Sequence, residues 1–277
     1  MHSLSLLTTK ALFNLTKLFL ILETKKIVVL DAFLGAIDLN NSIKLINSYR
    51  EENNFIFYKN RNFLIKELLE SKSKISVSCS SLLTAKAIFG ALKDKRKPFL
   101  YSSETPDKCK TKALNYVKED FSKYDVFIYT PSITTGVDIL SDFTEHFHID
   151  DSGSCDIISS LQMLKRNRVA SKIHCFVKNS IKFNETNHEK LNEIISKELA
   201  ECKIKNPFLV EMDYSSGNYT LSRVGRFYNK ILALKNSLEN NRRKQFLELI
   251  KMRFKTVEFQ DSTYNTDVLE NQFKLIL

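Results

Sequence analysis

KISVSCSSLLTAKAIFGAL, residues 74–92, contains a β-rich run (KISVS, 74–78), a serine-rich turn and the start of a helix predicted over 82–94. The same alternation of short β-rich runs and helical segments extends from Lys25 to Val177. Further strands are predicted at KIVVL (26–30), NFIFY (54–58), PFLYS (98–102), DVFIYT (125–130), HFHI (146–149) and KIHCFV (172–177). Helices are predicted over 40–50, 62–71, 107–122 and 156–167. Alternation of this kind builds an α/β fold, a parallel sheet covered by helices on both faces. After about residue 180 it gives way to charged helical patterns over 187–202 and 226–253, which predict a mostly helical C-terminal region.

The chain has 277 residues, 43% of them hydrophobic and 11% aromatic, enough to bury a core. Six glycines and four prolines imply short loops and frequent helices. Forty-two Lys and Arg against thirty-two Asp and Glu leave a charge of +10. Such an excess suits a polyanion, nucleic acid above all, but compositional lysine bias produces the same number. In NNRRKQFLELIKMRFK (240–255), Arg242, Arg243, Lys244, Lys251, Arg253 and Lys255 surround an apolar stripe of Phe246, Leu249, Ile250 and Phe254. Both a solvated helix face and a DNA-contacting surface fit that pattern.

The five cysteines are scattered and form no CxxC pair, which excludes a zinc ribbon and a disulfide framework and points to a reducing, intracellular compartment. His146 and His148 would share one face of a strand, without the further ligands that a metal site needs. In ALFNLTKLFLIL (11–22), Lys10 and Lys17 bracket about half the ~20 residues of a membrane span. Leu4, Leu7, Ala11, Leu15, Leu18 and Leu22 recur at helical spacing instead. No secretory leader pattern is present, so no membrane association is expected.

The sequence contains no GxxxxGK[ST], no HExxH and no Ser-His-Asp or paired-carboxylate pattern. Its informative stretch is YDVFIYTPSITTGVD (124–138), where a strand ends at Thr130 and delivers a polar loop at its carboxyl end, the usual ligand position in open α/β sheets. That loop, through Thr130, Gly136, Val137 and Asp138, resembles motif V of superfamily 2 helicases. QMLKRNR (162–168) resembles motif VI, with Gln162, Arg166 and Arg168 in place and Lys165 where a glycine is usual. The form Q-x-x-x-R-x-R, paired with TPSITTG, is similar to replication helicases related to the herpesvirus origin-binding protein and to plasmid primase-helicases. KKIVVLDAFL (25–34) resembles the stretch that replaces motif III in those proteins, and residues 74–92 resemble motif IV. The family loop has Ser where Asp138 stands.

The resemblance implies a second, RecA-like helicase lobe over 61–180, preceded by the tail of a first lobe (1–60) and followed by a helical accessory region (181–277). It implies that ATP and Mg²⁺ are held only together with a first lobe supplied upstream or in trans. Arg166 and Arg168 would stabilise charge on the transferred phosphoryl group, while Gln162, Gly136 and Asp138 contact the nucleotide. Ser78, Ser80, Thr130, Ser132, Thr134 and Thr135 would meet the nucleic acid. Read instead as a Walker B strand, IVVLD makes Asp31 a magnesium ligand. The pattern also admits a catalytically inactive nucleic-acid-binding module from a split or decayed gene, and a small-molecule enzyme on a doubly wound sheet. Arginines one residue apart on a helix point about 200° apart, so a shared ligand requires the helix to end at Arg166.

Overall fold

A computed structural model describes residues 51–109, 123–133, 139, 142–151, 154–202, 210–212, 215 and 219–261. The amphipathic segment before residue 23, KIVVL, the helix over 40–50 and most of that over 107–122 lie outside them. The remaining strands form where expected: β1 (Asn54–Tyr58), β2 (Ile75–Cys79), β3 (Pro98–Tyr101), β4 (Val126–Tyr129), β5 (Glu145–Asp150) and β6 (Lys172–Val177). So do the helices α1 (Arg61–Glu70), α2 (Leu82–Leu92) and α3 (Ile157–Leu164). Each helix starts where a side-chain oxygen accepts an otherwise unpaired backbone N–H. Asn60 accepts from Asn62 at 2.8 Å, Ser81 from Thr84 at 3.4 Å and Asp156 from Ser159 at 2.8 Å.

Beyond residue 180 come α4 (His188–Cys202), β7 (Val210–Met212), β8 (Tyr219–Leu221), α5 (Arg223–Asn240), α6 (Arg242–Arg253) and β9 (Val257–Gln260). The main sheet is seven-stranded, in the order β3-β4-β2-β5-β6-β1-β9, and every neighbouring pair is parallel. Because side chains alternate along a strand, β2 sends Ile75, Val77 and Cys79 to one face and Ser76 and Ser78 to the other. On the first face, Leu64, Ile65 and Leu68 of α1 and Ala85, Ile88 and Leu92 of α2 enclose Val77, Ile128 and Phe147. The second face is covered by α3 and α6: Met163 packs with Phe127, Tyr129 and Phe143, and Phe246 stacks on His148 at 5.9 Å. Helices therefore cover both faces of a parallel sheet, the expected fold class.

The described residues divide into two compact units. One is the sheet with its helices, up to Ile181 and again from Asn241; the other is Lys182–Asn240. This differs from the division expected at residues 60 and 180. β1 pairs with β6 and β9 inside the sheet, and the chain returns to that sheet after Asn240. The long helical pattern over 226–253 splits at Asn241, whose φ of −132° and ψ of 55° are not helical. In the 182–240 unit, β7 and β8 form an antiparallel hairpin whose Val210 and Leu221 pack on Ile195 of α4. Asn229 of α5 donates to Asn192 of α4 at 2.7 Å. No helix among the described residues is long and apolar enough to cross a membrane.

In the basic pattern of 240–255, Arg242 is buried, Arg243 and Arg253 are half-buried, and Lys244, Lys251 and Lys255 are exposed. Phe246, Ile250 and Phe254 are buried, and Arg242 is 2% exposed. Its Nε and Nη2 reach Asp150 Oδ2 at 2.9 and 2.6 Å, and Nη2 also donates to the Cys155 carbonyl at 2.9 Å. Arg243 donates to the Val177 carbonyl at 2.7 Å, and Arg253 pairs with Glu51 at 2.8 Å. α6 is thus a core helix of the sheet unit, which corrects the reading of Arg242 as part of a DNA-contacting surface. Removing one partner of a buried ion pair leaves the other charge without compensation. We expect Arg242→Ala to lower unfolding free energy by about 3–5 kcal/mol in urea titrations, and Lys244→Ala, at an exposed position, to change it by no more than about 0.5 kcal/mol.

Candidate functional site

The candidate site has two features, a groove at the carboxyl ends of the strands and an arginine segment toward their amino ends, where Asn167 bonds Ser76 of β2 and the Phe143 carbonyl just before β5. From β2 the chain leaves into α2 on the first face, whereas from β4 it leaves through Ile139 and Phe143 on the second. Adjacent strands whose connections part in this way open a crevice between them, the switch point at which open α/β sheets bind ligands. An open groove of about 430 Å³ lies there, lined by Ser80, Ser81, Leu83, Ser103, Thr130 and Ser132 among others.

Of the residues expected to meet nucleic acid, Ser80, Thr130 and Ser132 come together in this groove. Thr130 is nearly buried, and its hydroxyl lies 3.0 Å from that of the exposed Ser132. The Ser80 hydroxyl accepts from the Asp151 amide at 3.1 Å. Asp151 is also held by Thr84 at 2.6 Å and Arg61 at 3.1 Å, which locks the β5 exit to the start of α2. Ser78 does not belong to the groove: it is fully buried on the second face, its hydroxyl taken by two imidazoles. The strand's alternation, which makes Ser80 part of the rim, turns Ser78 inward. Thr134, Thr135, Gly136, Asp138 and Asp31 lie outside the described residues.

The second feature is the segment after α3. That helix ends at Leu164, and the Lys165 amide donates to the Gln162 carbonyl at 3.2 Å. Arg166 and Arg168 therefore lie beyond the helix. The Ile139 amide donates to the Arg166 carbonyl at 2.7 Å, and the Arg168 amide to the Ile139 carbonyl at 3.4 Å, so Asn167 forms a parallel bridge with Ile139. Asn167 is 2% exposed and points inward, while Arg166 is half-buried and Arg168 exposed. Neither arginine is on the helix, so the 200° divergence of helical geometry does not apply to them. The bridge also ties the arginine segment to the residue that directly follows the motif V-like loop. Lys165 contacts Glu51 and lies 5.0 Å over the Phe254 ring. Burial, with Arg253 and Arg168 adding repulsion, pulls its ammonium down to about 7, although Glu51 acts in the opposite sense.

Beneath both features lies a chain of buried polar side chains. Asn167 Nδ2 donates to Ser76 Oγ at 2.8 Å, and Ser76 Oγ lies 2.7 Å from His146 Nδ1. Ser78 Oγ bridges His146 Nε2 at 3.0 Å and His148 Nδ1 at 2.7 Å. His148 Nε2 lies 2.8 Å from Ser160 Oγ, which donates to Asp150 Oδ2 at 2.9 Å. His146 and His148 do share one strand face, and serine hydroxyls occupy their ring nitrogens. Sequence reasoning did not find this network, although its trace is visible: SxS in β2 and HxH in β5 place polar residues at period two on buried strands. On the first face His174 stacks on Phe147 at 4.3 Å and meets the Tyr58 hydroxyl at 2.7 Å. Burial also raises the thiols of Cys155, to about 12, and of Cys175, so these two are not poised nucleophiles.

No family model matches the chain. Similar proteins include the "Putative helicase/primase complex protein" of African swine fever virus. The Pig/Kenya isolate's protein is 30% identical over 138 residues, which cover 44% of this chain and 12% of the viral one. That of the Warthog/Namibia isolate is 29% identical over 177 residues, or 53% and 16%. The chain thus spans less than a fifth of the length of these curated relatives. Among solved structures, the C-terminal domain of the DEAD-box protein Dbp5 aligns with a TM-score of 0.35 and 14% identity over 54% of this chain and 86% of that one. Mss116p DEAD-box helicase domain 2 bound to an RNA duplex aligns with a TM-score of 0.36 and 10% identity, over 76% and 100%. At such scores the fold rests on the strand order and register themselves.

The buried histidines give the sheet unit a definite pH response. Burial, with Arg242 adding repulsion, holds His148 down to about 3. Burial and then Lys172 hold His174 at about 3, and burial with its histidine neighbours lowers His146 well below the usual range. An unfolded histidine takes up its proton near 6.5, so between about 3 and 6.5 the unfolded state binds more protons and stability falls as pH falls. We expect His148 and His174 each to contribute a slope of about 1.4 kcal/mol per pH unit in that window. Denaturant titrations at pH 7.5, 6 and 5 check this; stability unchanged between 6 and 5 would contradict the buried neutral imidazoles.

Proposed function

We propose that this chain is the C-terminal lobe of a superfamily 2 DNA helicase of the replication, origin-binding type, which works with a first lobe carrying the Walker motifs. One observation carries the reading: Arg166 and Arg168 lie beyond the end of α3, on either side of the bridge at Ile139, the residue that directly follows the loop resembling motif V. Two permanently charged guanidiniums there would fit the terminal phosphates of a nucleotide shared with a partner lobe. Bound ATP with Mg²⁺ would supply the phosphoryl transfer, and this chain would supply charge stabilisation. Gln162, one turn earlier, would help to orient the nucleotide, as would Gly136 and Asp138. The groove lined by Ser80, Thr130 and Ser132 would take the sugar-phosphate strand through neutral hydroxyl donors, which recognise the backbone without reading bases. The viral relatives named as helicase/primase proteins support the reading over the matched stretch.

The test is reconstitution with a first lobe bearing GxxxxGK[ST]. Arg166→Ala and Arg168→Ala should each reduce turnover by a factor on the order of 10³, with single-strand binding and melting temperature nearly unchanged. Mutants with normal turnover would leave the non-catalytic nucleic-acid-binding module in its place. Binding to an unstructured single strand should weaken steeply between low and physiological salt as counterions are released. Affinity indifferent to salt would reduce the +10 charge to composition.

A further inference from the structure

The buried polar chain has a direction, and its two ends fix that direction independently. At one end the Asp150 carboxylate only accepts, so the Ser160 proton goes to it. A hydroxyl has one proton, so Ser160 must accept from His148 Nε2, which therefore carries hydrogen. His148 is neutral, so Nδ1 accepts the Ser78 proton, and Ser78 in turn accepts from His146 Nε2. His146 Nδ1 then accepts from Ser76, which must accept from its last neighbour. At the other end Asn167 Nδ2 donates to Ser76 at 2.8 Å and to the Phe143 carbonyl at 2.8 Å, while Oδ1 accepts the Val169 and Ala170 amides at 3.1 Å each. A carbonyl and two amides cannot exchange roles, so the orientation of this amide is fixed. Both ends require the same sense, and each histidine on the path is the Nε2–H tautomer.

We infer that Asn167 is a positioning residue for Arg166 and Arg168, and that this one-way chain ties it to Asp150 and Arg242 at the other end of the same sheet face. The amide uses both donors and both acceptor sites, so the residue between the arginines cannot rotate without breaking bonds to β2, to the Phe143 carbonyl and to its own turn. Its inward placement anchors the backbone from which both arginines extend. An acceptor placed at the Asn167 end reverses the protons only as far as Ser78, because Asp150 still accepts at the other end. Arg242 begins α6, the first helix after the 182–240 unit, so the point where the chain re-enters the sheet unit is wired to the arginine segment. The role of Asn167 rests on reading Arg166 and Arg168 as phosphate contacts; the direction of the chain does not.

The test uses the full chain labelled with ¹⁵N-histidine, without nucleotide, at pH 8. Two-bond ¹⁵N–¹H correlations distinguish Nε2–H from Nδ1–H rings, and His146 and His148 should both be Nε2–H. Asn167→Asp places an acceptor where a donor stood, so Ser76 should donate to it and His146 should switch to Nδ1–H, while the Asp150 end keeps His148 Nε2–H. An Nδ1–H ring at either position in the unaltered chain, or an unchanged His146 in folded Asn167→Asp, overturns the chain. If Asn167→Asp does not fold, Ser76→Ala and Ser76→Thr decide. Ser76→Ala should speed amide exchange at Ile139 and Arg168 by about fivefold, the factor that one hydrogen bond of ~1 kcal/mol supplies, with β1 and β6 unchanged. Ser76→Thr keeps the hydroxyl and should restore the slow rate. Unchanged exchange in Ser76→Ala, or no rescue by threonine, overturns the positioning role. Neither readout involves ATP, so a correct chain beside arginines that prove silent in turnover would sink the helicase reading alone.

Discussion

The Asp150 carboxylate and the Arg242 guanidinium face each other almost out of reach of water, 2.6 Å apart, and much of the sheet unit is arranged around that pair. Two charges in such a place are tolerable only when they are paired and hydrogen-bonded. Arg242 finds a second acceptor in the Cys155 carbonyl, and Asp150 takes the Ser160 hydroxyl on the same Oδ2, which leaves its buried Oδ1 without a hydrogen-bond partner. The pair fixes the start of α6 against the end of β5. From that end the chain continues through Asp151, which braces the groove, to Asp156, which caps α3. The groove and the arginine segment thus both depend on where β5 stops.

The two faces of the sheet solve burial differently. The first is an ordinary apolar interface with α1 and α2, where volume matters more than identity. On the second, Ser76, Ser78, His146 and His148 are matched across β2 and β5 in one register. A slip of one residue would move all four to the apolar face and leave each of their polar atoms without a partner. The polar network therefore contributes uniqueness of register as well as stability, a role that a purely apolar face performs less strictly.

That uniqueness matters for the arrangement at the strand ends. Ser80 and Thr130 are on the groove rim only because β2 and β4 end in step, and Ile139 meets Asn167 only because α3 ends one turn after Ser160. The hydroxyl-lined groove and the arginine segment are therefore products of one register, and a backbone bridge through Ile139 joins the arginine segment to the chain that leaves β4.

The sequence by itself determined what depends on local periodicity. The strands from Asn54 to Val177, the capped starts of α1 to α3, and the need for a helix end before Arg166 all follow from near neighbours along the chain. Partners distant in sequence were decided by tertiary structure. Asp150 and Arg242 are 92 residues apart, and Asn167 and Ser76 are 91 apart. Ser78 looked like a phosphate contact because an alternating serine reads the same on a wet face as on a buried one, and only the register with His146 and His148 tells them apart. Arg242 looked like surface charge because helical periodicity places it beside an apolar stripe without naming a carboxylate opposite. β9 and the split at Asn241 escaped for a related reason: Val257 and Phe259 alternate too briefly to signal a strand, and a helix breaks there because the sheet takes the chain back. Periodicity is a property of the chain, whereas the partner of a buried polar group is a property of the fold.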